Sequence, residues 1–346
     1  MLKSSFAFVS VFLALSACCA AQSAGERAVP ARSMPVPGTV SSELQKVIAA
    51  PWGRTKAPMV LTSEQWKEFQ KRTDEDRGKA ALAMARNLHV ALREDRIAGV
   101  HVYHVTPQTI SEENSNRLLV HVHGGAYVLG GGVAATSEAI LAAHYGKIEV
   151  VSVDYRMPPD FPYPAALDDA LAVWKEVARP RNTRNIGLFG TSTGGGMTLA
   201  LVLKLKALGM PLPGALMAGT PWSDMTKTGD TFFTNELIDN VLGSNDGFLE
   251  ASAKLYAAGH DLKDPYLSPV YGDLNGFPPT ILISGTRDLF LSNTVRVHQK
   301  LLKAGAVAEL LVFEGQSHAQ YNAPGVPETA DAWTQVGRFF DRHLNR

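Results

Sequence analysis

The residues best placed for chemistry in this chain form the stretch 190–194, Gly-Thr-Ser-Thr-Gly. An apolar run at 186–189 precedes this stretch, and a helical pattern at 197–208 follows it. A G-x-S-x-G sequence between a strand and a helix holds its serine on a sharp, strained turn. Ser192 is therefore a candidate nucleophile, which would need a base, an acid and an oxyanion site. A plain glycine-rich start of a helix is the alternative interpretation.

A pair of glycines could supply the oxyanion site. Gly124 and Gly125 come soon after an apolar run at 117–122 that predicts a strand. Adjacent glycines let backbone amides converge on one point, as an oxyanion requires. With Ser192 as nucleophile, the donors would be the amides of Gly124, Gly125 and Thr193. A flexible turn at the end of the strand is the alternative.

Two histidines near this glycine pair raise the question of a metal site. His121 and His123 form an H-x-H pair, which could bind a metal ion. No further set of histidine and aspartate residues stands at matching strand ends, so we expect no metal and no other cofactor. We expect His123 to brace the glycine loop rather than to exchange protons.

The base must come from ten histidines, and His318 is the candidate. It lies in a loop just past the last predicted strand, at 309–313. It also follows Ser192, as the chain order Ser…Asp…His requires for this type of serine turn. Asp288, just past the strand predicted at 280–284, is the candidate acid between them. It would fix the imidazole tautomer and stabilise the imidazolium.

Short apolar runs alternate with helical patterns along most of the chain. The apolar runs are at 100–105, 117–122, 148–153, 186–189, 215–218, 280–284 and 309–313. The helical patterns are at 137–145, 165–177, 197–208, 293–304 and 329–344. This alternation predicts an α/β fold, a mostly parallel sheet with helices on both faces. Ligands bind at the carboxyl ends of the strands in such sheets, where the candidate residues lie.

Two further helical regions surround this alternation. Residues 41–98 contain two amphipathic helical patterns, and Thr62 with Gln65 resembles a capping box before the second. Residues 228–262 are mostly polar with embedded aromatic side chains, which indicates a helical insertion. We expect these two regions to form a cap on an α/β domain that spans residues 99–346.

The amino terminus predicts export. Lys3 precedes an apolar segment at 6–17, which is too short for a membrane span and is followed by small residues. We interpret residues 1–21 as a signal peptide and the proline-containing segment 22–40 as a linker. The expected location of the mature protein is periplasmic or extracellular.

The segment 15–18, Leu-Ser-Ala-Cys, also resembles a bacterial lipobox. Cleavage there would remove residues 1–17 and leave Cys18 as a lipid anchor, whereas ordinary cleavage would fall near Ala20 or Ala21. Mass spectrometry of the mature amino terminus distinguishes these outcomes. Both cysteines of the chain lie in the signal region, so we expect no disulfide within the mature domain.

The overall composition indicates how large a hydrophobic core the chain can form and which kinds of partner it favours. The chain has 346 residues, 45% of them hydrophobic, which is ample for a large core. Its 33 basic and 33 acidic residues cancel. This balance favours neither nucleic acid nor a strongly charged substrate.

Several of these motifs together resemble one family. They lie at 123–126, 154–156, 164–169, 190–194, 221–224 and 267–269, and in the loops of Asp288 and His318. Residues 117 to about 344 resemble the bacterial hormone-sensitive-lipase family (family IV) of α/β-hydrolase carboxylesterases. Within it they are similar to monoterpene epsilon-lactone hydrolases. The resemblance implies an α/β-hydrolase fold with a helical cap, a triad of Ser192, Asp288 and His318, and an oxyanion hole in the glycine loop.

The chain departs from the family pattern near the nucleophile. Ala126 stands where the family often has a third glycine. Thr191 and Thr193 stand where the serine turn commonly reads G-D-S-A-G. The missing aspartate is expected to remove a negative charge from beside Ser192.

These features predict a metal-free serine hydrolase for small esters with short- to medium-chain acyl groups. Tyr127, Trp222 and Phe290 are candidate walls of the substrate pocket, with core aromatics as the alternative. The same triad could hydrolyse lactones, amides or carbamates. A protein of this fold that binds ligands without turnover is a further alternative. A true lipase is disfavoured, because the sequence shows only scattered aromatics and no large apolar lid.

Overall fold

The computed structural model describes residues 29–53 and 56–345. The predicted signal peptide at 1–21 and the predicted anchor at Cys18 lie outside the described residues. The chain divides into two units, Met1–Pro35 and Val36–Arg346. The described part of the first unit, residues 29–35, contains no helix or strand. The sheet and the described helices belong to the second unit.

One eight-stranded sheet organises the second unit, in the order β1-β2-β4-β3-β5-β6-β7-β8. Its strands are β1 (Val90–Ile97), β2 (Val100–Pro107), β3 (Leu118–Val122), β4 (Val150–Asp154), β5 (Ile186–Thr191), β6 (Ala215–Gly219), β7 (Thr280–Gly285) and β8 (Ala308–Phe313). Strand β2 is antiparallel to β1 and β4, whereas β3 to β8 run parallel. The predicted mostly parallel sheet is thus confirmed.

Helices cover both faces of this sheet. The helices of the described residues are α1 (Ser42–Ala49), α2 (Ser63–Asn87), α3 (Ser137–Gly146), α4 (Ala165–Ala178), α5 (Thr193–Ala207), α6 (Thr231–Thr234), α7 (Phe248–Ala257), α8 (Leu291–Lys303) and α9 (Pro327–His343). Buried apolar side chains of α3 and α9 belong to one hydrophobic cluster, and those of α4, α5 and α8 to another. Adjacent strand residues divide between the clusters, as Leu119 and Val120 do, because successive side chains point to opposite faces.

Strand β1 was not predicted, because the sequence analysis assigned residues 41–98 to helices. Strand β1 carries four charged residues in a row at 93–96 and shows no alternation of apolar and polar residues. Among the described residues, its one strand partner is β2, and it lies at the edge of the sheet. Edge strands need less apolar surface than central ones, and their charges discourage pairing with other chains. Helix α2 does begin at the predicted capping box of Thr62 and Gln65.

The candidate residues follow parallel strands at their carboxyl ends. The glycine loop comes after β3, Ser192 after β5, Asp288 after β7 and His318 after β8. Because these strands are parallel, the four loops meet at one edge of the sheet. In the described part of the chain, no helix has the length and apolar character needed to cross a membrane.

Candidate active site

The backbone of Ser192 has the conformation of a strained turn between β5 and α5. Its φ is 64° and its ψ is −123°, a region that non-glycine residues rarely occupy. The N–H of Ser192 donates to the carbonyl of Gly219 at 2.8 Å. A Cβ atom on Gly190 or Gly194 would overlap the carbonyl oxygen of Val122. The flanking glycines are therefore required by the close approach of this turn to β3.

His318 and Asp288 are in direct contact. Nδ1 of His318 lies 3.0 Å from Oδ1 of Asp288. The same carboxylate accepts the N–H of Phe290 at 2.9 Å and the hydroxyl of Ser284 at 2.7 Å. Nε2 of His318 is buried and has no hydrogen-bond partner among the described residues. The imidazole is thus held at one nitrogen, while its other nitrogen remains available.

Ser192 and His318 line one cavity, which has a volume of about 500 Å³. Cavities of roughly 300–1,000 Å³ are typical of small-molecule sites. The apolar part of the wall includes Ala80 and Met84 of α2, and Leu129, Leu141, Leu242 and Leu249. Both regions predicted to form a cap, the amino-terminal helices and the insertion, therefore contribute side chains to this wall.

The predicted oxyanion donors lie beside Ser192. Gly124 and Gly125 line the same cavity. Gly125 has a φ of 122°, and a Cβ atom there would overlap the carbonyl of Leu129. Thr193 is the first residue of α5, so its N–H belongs to the amides that have no acceptor within the helix. The partial positive charge at this helix terminus would favour a developing oxyanion.

His123 holds the glycine loop, as the sequence analysis expected. Its ring stacks on Tyr155 at 3.9 Å, and its Nδ1 lies 2.8 Å from the carbonyl oxygen of Gly124. The hydroxyl of Tyr155 donates to the carbonyl of His123 at 2.7 Å. Burial lowers the pKa of His123 to about 4. His123 is therefore neutral near pH 7 and serves as a brace.

His121 belongs to a separate buried network that the sequence analysis missed. Its Nδ1 lies 2.9 Å from Oγ of Ser152, and its Nε2 lies 3.0 Å from a carboxylate oxygen of Glu138. The other oxygen of Glu138 accepts the hydroxyl of Thr191. In the described residues, no group of three or more histidine, cysteine, aspartate or glutamate side chains could hold a metal ion.

The contact between Glu138 and Thr191 corrects one expectation. The threonine at 191 was expected to leave Ser192 without a neighbouring acidic group. Instead α3 supplies the carboxylate of Glu138 to this position. No signal in the sequence paired the two residues, because they lie 53 positions apart and meet only in the folded chain.

The three aromatic residues predicted as pocket walls lie elsewhere. Tyr127, Trp222 and Phe290 are fully buried and do not line the cavity. Tyr127 stacks on Tyr256 at 3.7 Å, and Trp222 stacks on Phe290 at 5.6 Å. Phe290 also packs edge-on against the ring of His318 at 4.9 Å. These residues are core aromatics, and Phe290 supports the imidazole from behind.

Comparisons with known proteins agree with this architecture. A family described as having the alpha/beta hydrolase fold matches residues 119–322. The chain belongs to the α/β-hydrolase family. An acetyl-hydrolase of Streptomyces hygroscopicus is 30% identical over 245 residues, which cover 69% of this chain and 81% of that protein. An esterase of Acinetobacter venetianus is 29% identical over 260 residues, covering 73% and 82% respectively.

Solved structures place this α/β-hydrolase among esterases. The crystal structure of esterase E25 superposes with a TM-score of 0.89 at 42% identity, covering 92% of this chain and 99% of that one. An esterase of the bacterial hormone-sensitive lipase family superposes with a TM-score of 0.77 at 26% identity, covering 88% and 99%. The predicted resemblance is thus confirmed at the level of hormone-sensitive-lipase-like esterases, and the chain is a carboxylesterase.

Proposed function

We propose that this carboxylesterase works through a triad of Ser192, His318 and Asp288 and a covalent acyl-enzyme. Oγ of Ser192 attacks the ester carbonyl, and Nε2 of His318 takes its proton. The amides of Gly124, Gly125 and Thr193 stabilise the oxyanion.

The second half of the reaction uses the same groups. His318 returns the proton to the leaving alcohol, and water then attacks the acyl-enzyme with His318 again as base. Asp288 keeps its negative charge throughout and stabilises the imidazolium.

The observation that carries this proposal is the orientation of the imidazole of His318. Its Nδ1 is held by Asp288 at 3.0 Å, and its Nε2 has no partner among the described residues. The ring borders the same cavity as the strained turn of Ser192. His123 also has a buried Nε2 without a partner among the described residues, but its Nδ1 lies against a backbone carbonyl, whereas the Nδ1 of His318 lies against a carboxylate that can stabilise an imidazolium. A general base needs an available nitrogen that faces the same cavity as the nucleophile, and His318 meets this requirement for Ser192.

We further propose that the substrates are esters with short- to medium-chain acyl groups. The cavity of about 500 Å³ is bounded by side chains of the insertion, including Leu242 and Leu249. This volume is in the range of small-molecule sites and accommodates a small ester.

We expect kcat/KM for p-nitrophenyl esters to be highest for short and medium acyl chains and to fall for long ones. The measurement is a series of acyl lengths, with a lactone and an anilide of matched size in parallel. A steady rise of kcat/KM toward the longest chains would contradict the proposed substrate class. Higher kcat/KM for the lactone than for every open-chain ester would assign lactones as substrates of the same triad.

A further inference from the structure

A second buried carboxylate, Asp239, lies behind the proposed triad. Asp239 belongs to the insertion and is fully buried. Its Oδ1 accepts the N–H groups of Val241 and Leu242 at 2.9 and 3.0 Å. Its Oδ2 accepts the N–H of Leu289 at 2.8 Å and the N–H of His318 at 3.4 Å. The carboxylate of Asp239 therefore joins the insertion to both the loop of Asp288 and the loop of His318.

A neighbour of Asp239 reinforces the contact with the acid loop. The side-chain amide of Asn235 donates to the carbonyl of Asp288 at 2.9 Å and to that of Thr286 at 3.2 Å. The insertion thus reaches the acid loop through two side chains, both directed at the backbone around Asp288.

Another neighbour reinforces the contact with the base loop. The N–H of Asn240 donates to the hydroxyl of Ser317 at 3.2 Å, and its side-chain oxygen accepts Nε2 of Gln320 at 2.8 Å. Ser317 and Gln320 flank His318 closely. Residues 235–242 therefore form a clamp across the two loops, with Asp239 at its centre.

Asp239 interacts electrostatically with the imidazole of His318. Burial and the negative charge of Asp288 raise the pKa of Asp239 to about 6, and a positive charge on His318 opposes this rise. Asp288 and His318 are the ionisable groups that act on it most strongly. Among the described residues, the hydrogen bonds of its carboxylate are with backbone amides. At neutral pH, Asp239 places a second carboxylate near the imidazolium that forms during the reaction.

We propose that Asp239 is a positioning residue, which fixes the loops of Asp288 and His318 to the insertion and adds a second negative charge behind the imidazole. The proposal rests on the triad proposed above and goes beyond it. In this proposal the insertion holds His318, the proposed base, in position and also contributes side chains to the cavity wall. Nothing in the sequence pattern distinguished Asp239 from the other polar residues of the insertion.

The test is the Asp239→Asn variant, which keeps the shape of the side chain and removes its charge. We expect kcat to fall about 10- to 100-fold, because small displacements of catalytic groups have effects of this size, with KM changed little. The acidic limb of the kcat/KM profile should move to lower pH, because loss of a nearby anion makes the imidazolium less stable. A merely structural role would not move this limb.

The matched control is Asp230→Asn, which removes an exposed carboxylate from the same insertion. We expect this control to retain the wild-type kcat and pH profile. A value of kcat for Asp239→Asn within twofold of wild type, or a lower kcat with an unmoved acidic limb, would overturn the proposal.

A second variant serves if Asp239→Asn does not fold. Asp239→Glu keeps the charge but displaces the carboxylate by one methylene, so we expect a lower kcat with the acidic limb close to that of wild type. A wild-type kcat in this variant would overturn the positioning role. Failure of the triad itself is distinguishable, because it would show as retained activity in a Ser192→Ala variant measured in parallel.

Discussion

Replacement of Ser192 by alanine is expected to lower kcat by at least about a thousandfold. The substitution removes the proposed nucleophile, and only water activated within the cavity would remain to attack the ester. The free energy of unfolding should change little, because a single half-buried hydroxyl is lost and the backbone contacts of residue 192 are kept. The measurements are kcat with p-nitrophenyl butyrate and the urea midpoint of unfolding.

A matched control for this variant is Ser137→Ala. Ser137 also borders the cavity, so the control removes another hydroxyl from the same wall. We expect it to retain most of the activity. If Ser192→Ala instead kept more than a tenth of the wild-type kcat, Ser192 could not be the nucleophile.

Replacement of Asp288 by asparagine is the second change with a large expected effect, a fall in kcat of about a thousandfold or more. The asparagine keeps the shape of the side chain, but it removes the charge that stabilises the imidazolium. Its amide group can also turn its NH₂ toward His318 and favour the wrong tautomer. We expect a large fall in kcat and only a small change in KM, because the interaction between Asp288 and the imidazole of His318 strengthens in the transition state.

The Asp230→Asn variant again provides the control for loss of a carboxylate. A kcat within tenfold of wild type in Asp288→Asn would mean that another group orients the imidazole. Asp239 would then be the candidate, since it accepts the backbone N–H of His318 at 3.4 Å and interacts electrostatically with the imidazole. The double variant of Asp239 and Asp288 would show whether the two carboxylates act on the same step.

The sequence predicts much of the fold because apolar runs and glycine-rich turns carry local signals. The central strands are buried on both faces and therefore read as continuous apolar runs, as β3 and β5 do. Gly190 and Gly194 are also recognisable locally, as part of the G-x-S-x-G motif, although the contact that requires them is the approach of the turn to Val122 of β3. Strand β1 escaped prediction, since an edge position lets it carry a run of charged residues at 93–96.

The parts of the site that the sequence did not predict depend on packing between distant segments. Glu138 meets Thr191 across 53 positions, and Asp239 meets Leu289 across 50. Neither contact has a periodic or motif signature. Phe290 lies two positions after Asp288 and Trp222 lies just after β6, yet both face the core rather than the cavity. The direction of a side chain in a loop depends on the segments packed around it. Local patterns in the sequence do not reveal those segments.

The central claim is that Ser192 is a nucleophile activated by His318, and covalent labelling tests it most directly. A fluorophosphonate probe reacts with an activated serine, and peptide mapping by mass spectrometry identifies the residue that carries it. We predict stoichiometric labelling at Ser192 in the wild-type protein and loss of labelling in a His318→Ala variant. A folded, active wild-type protein that stays unlabelled, or that carries the probe on another residue, would contradict the account.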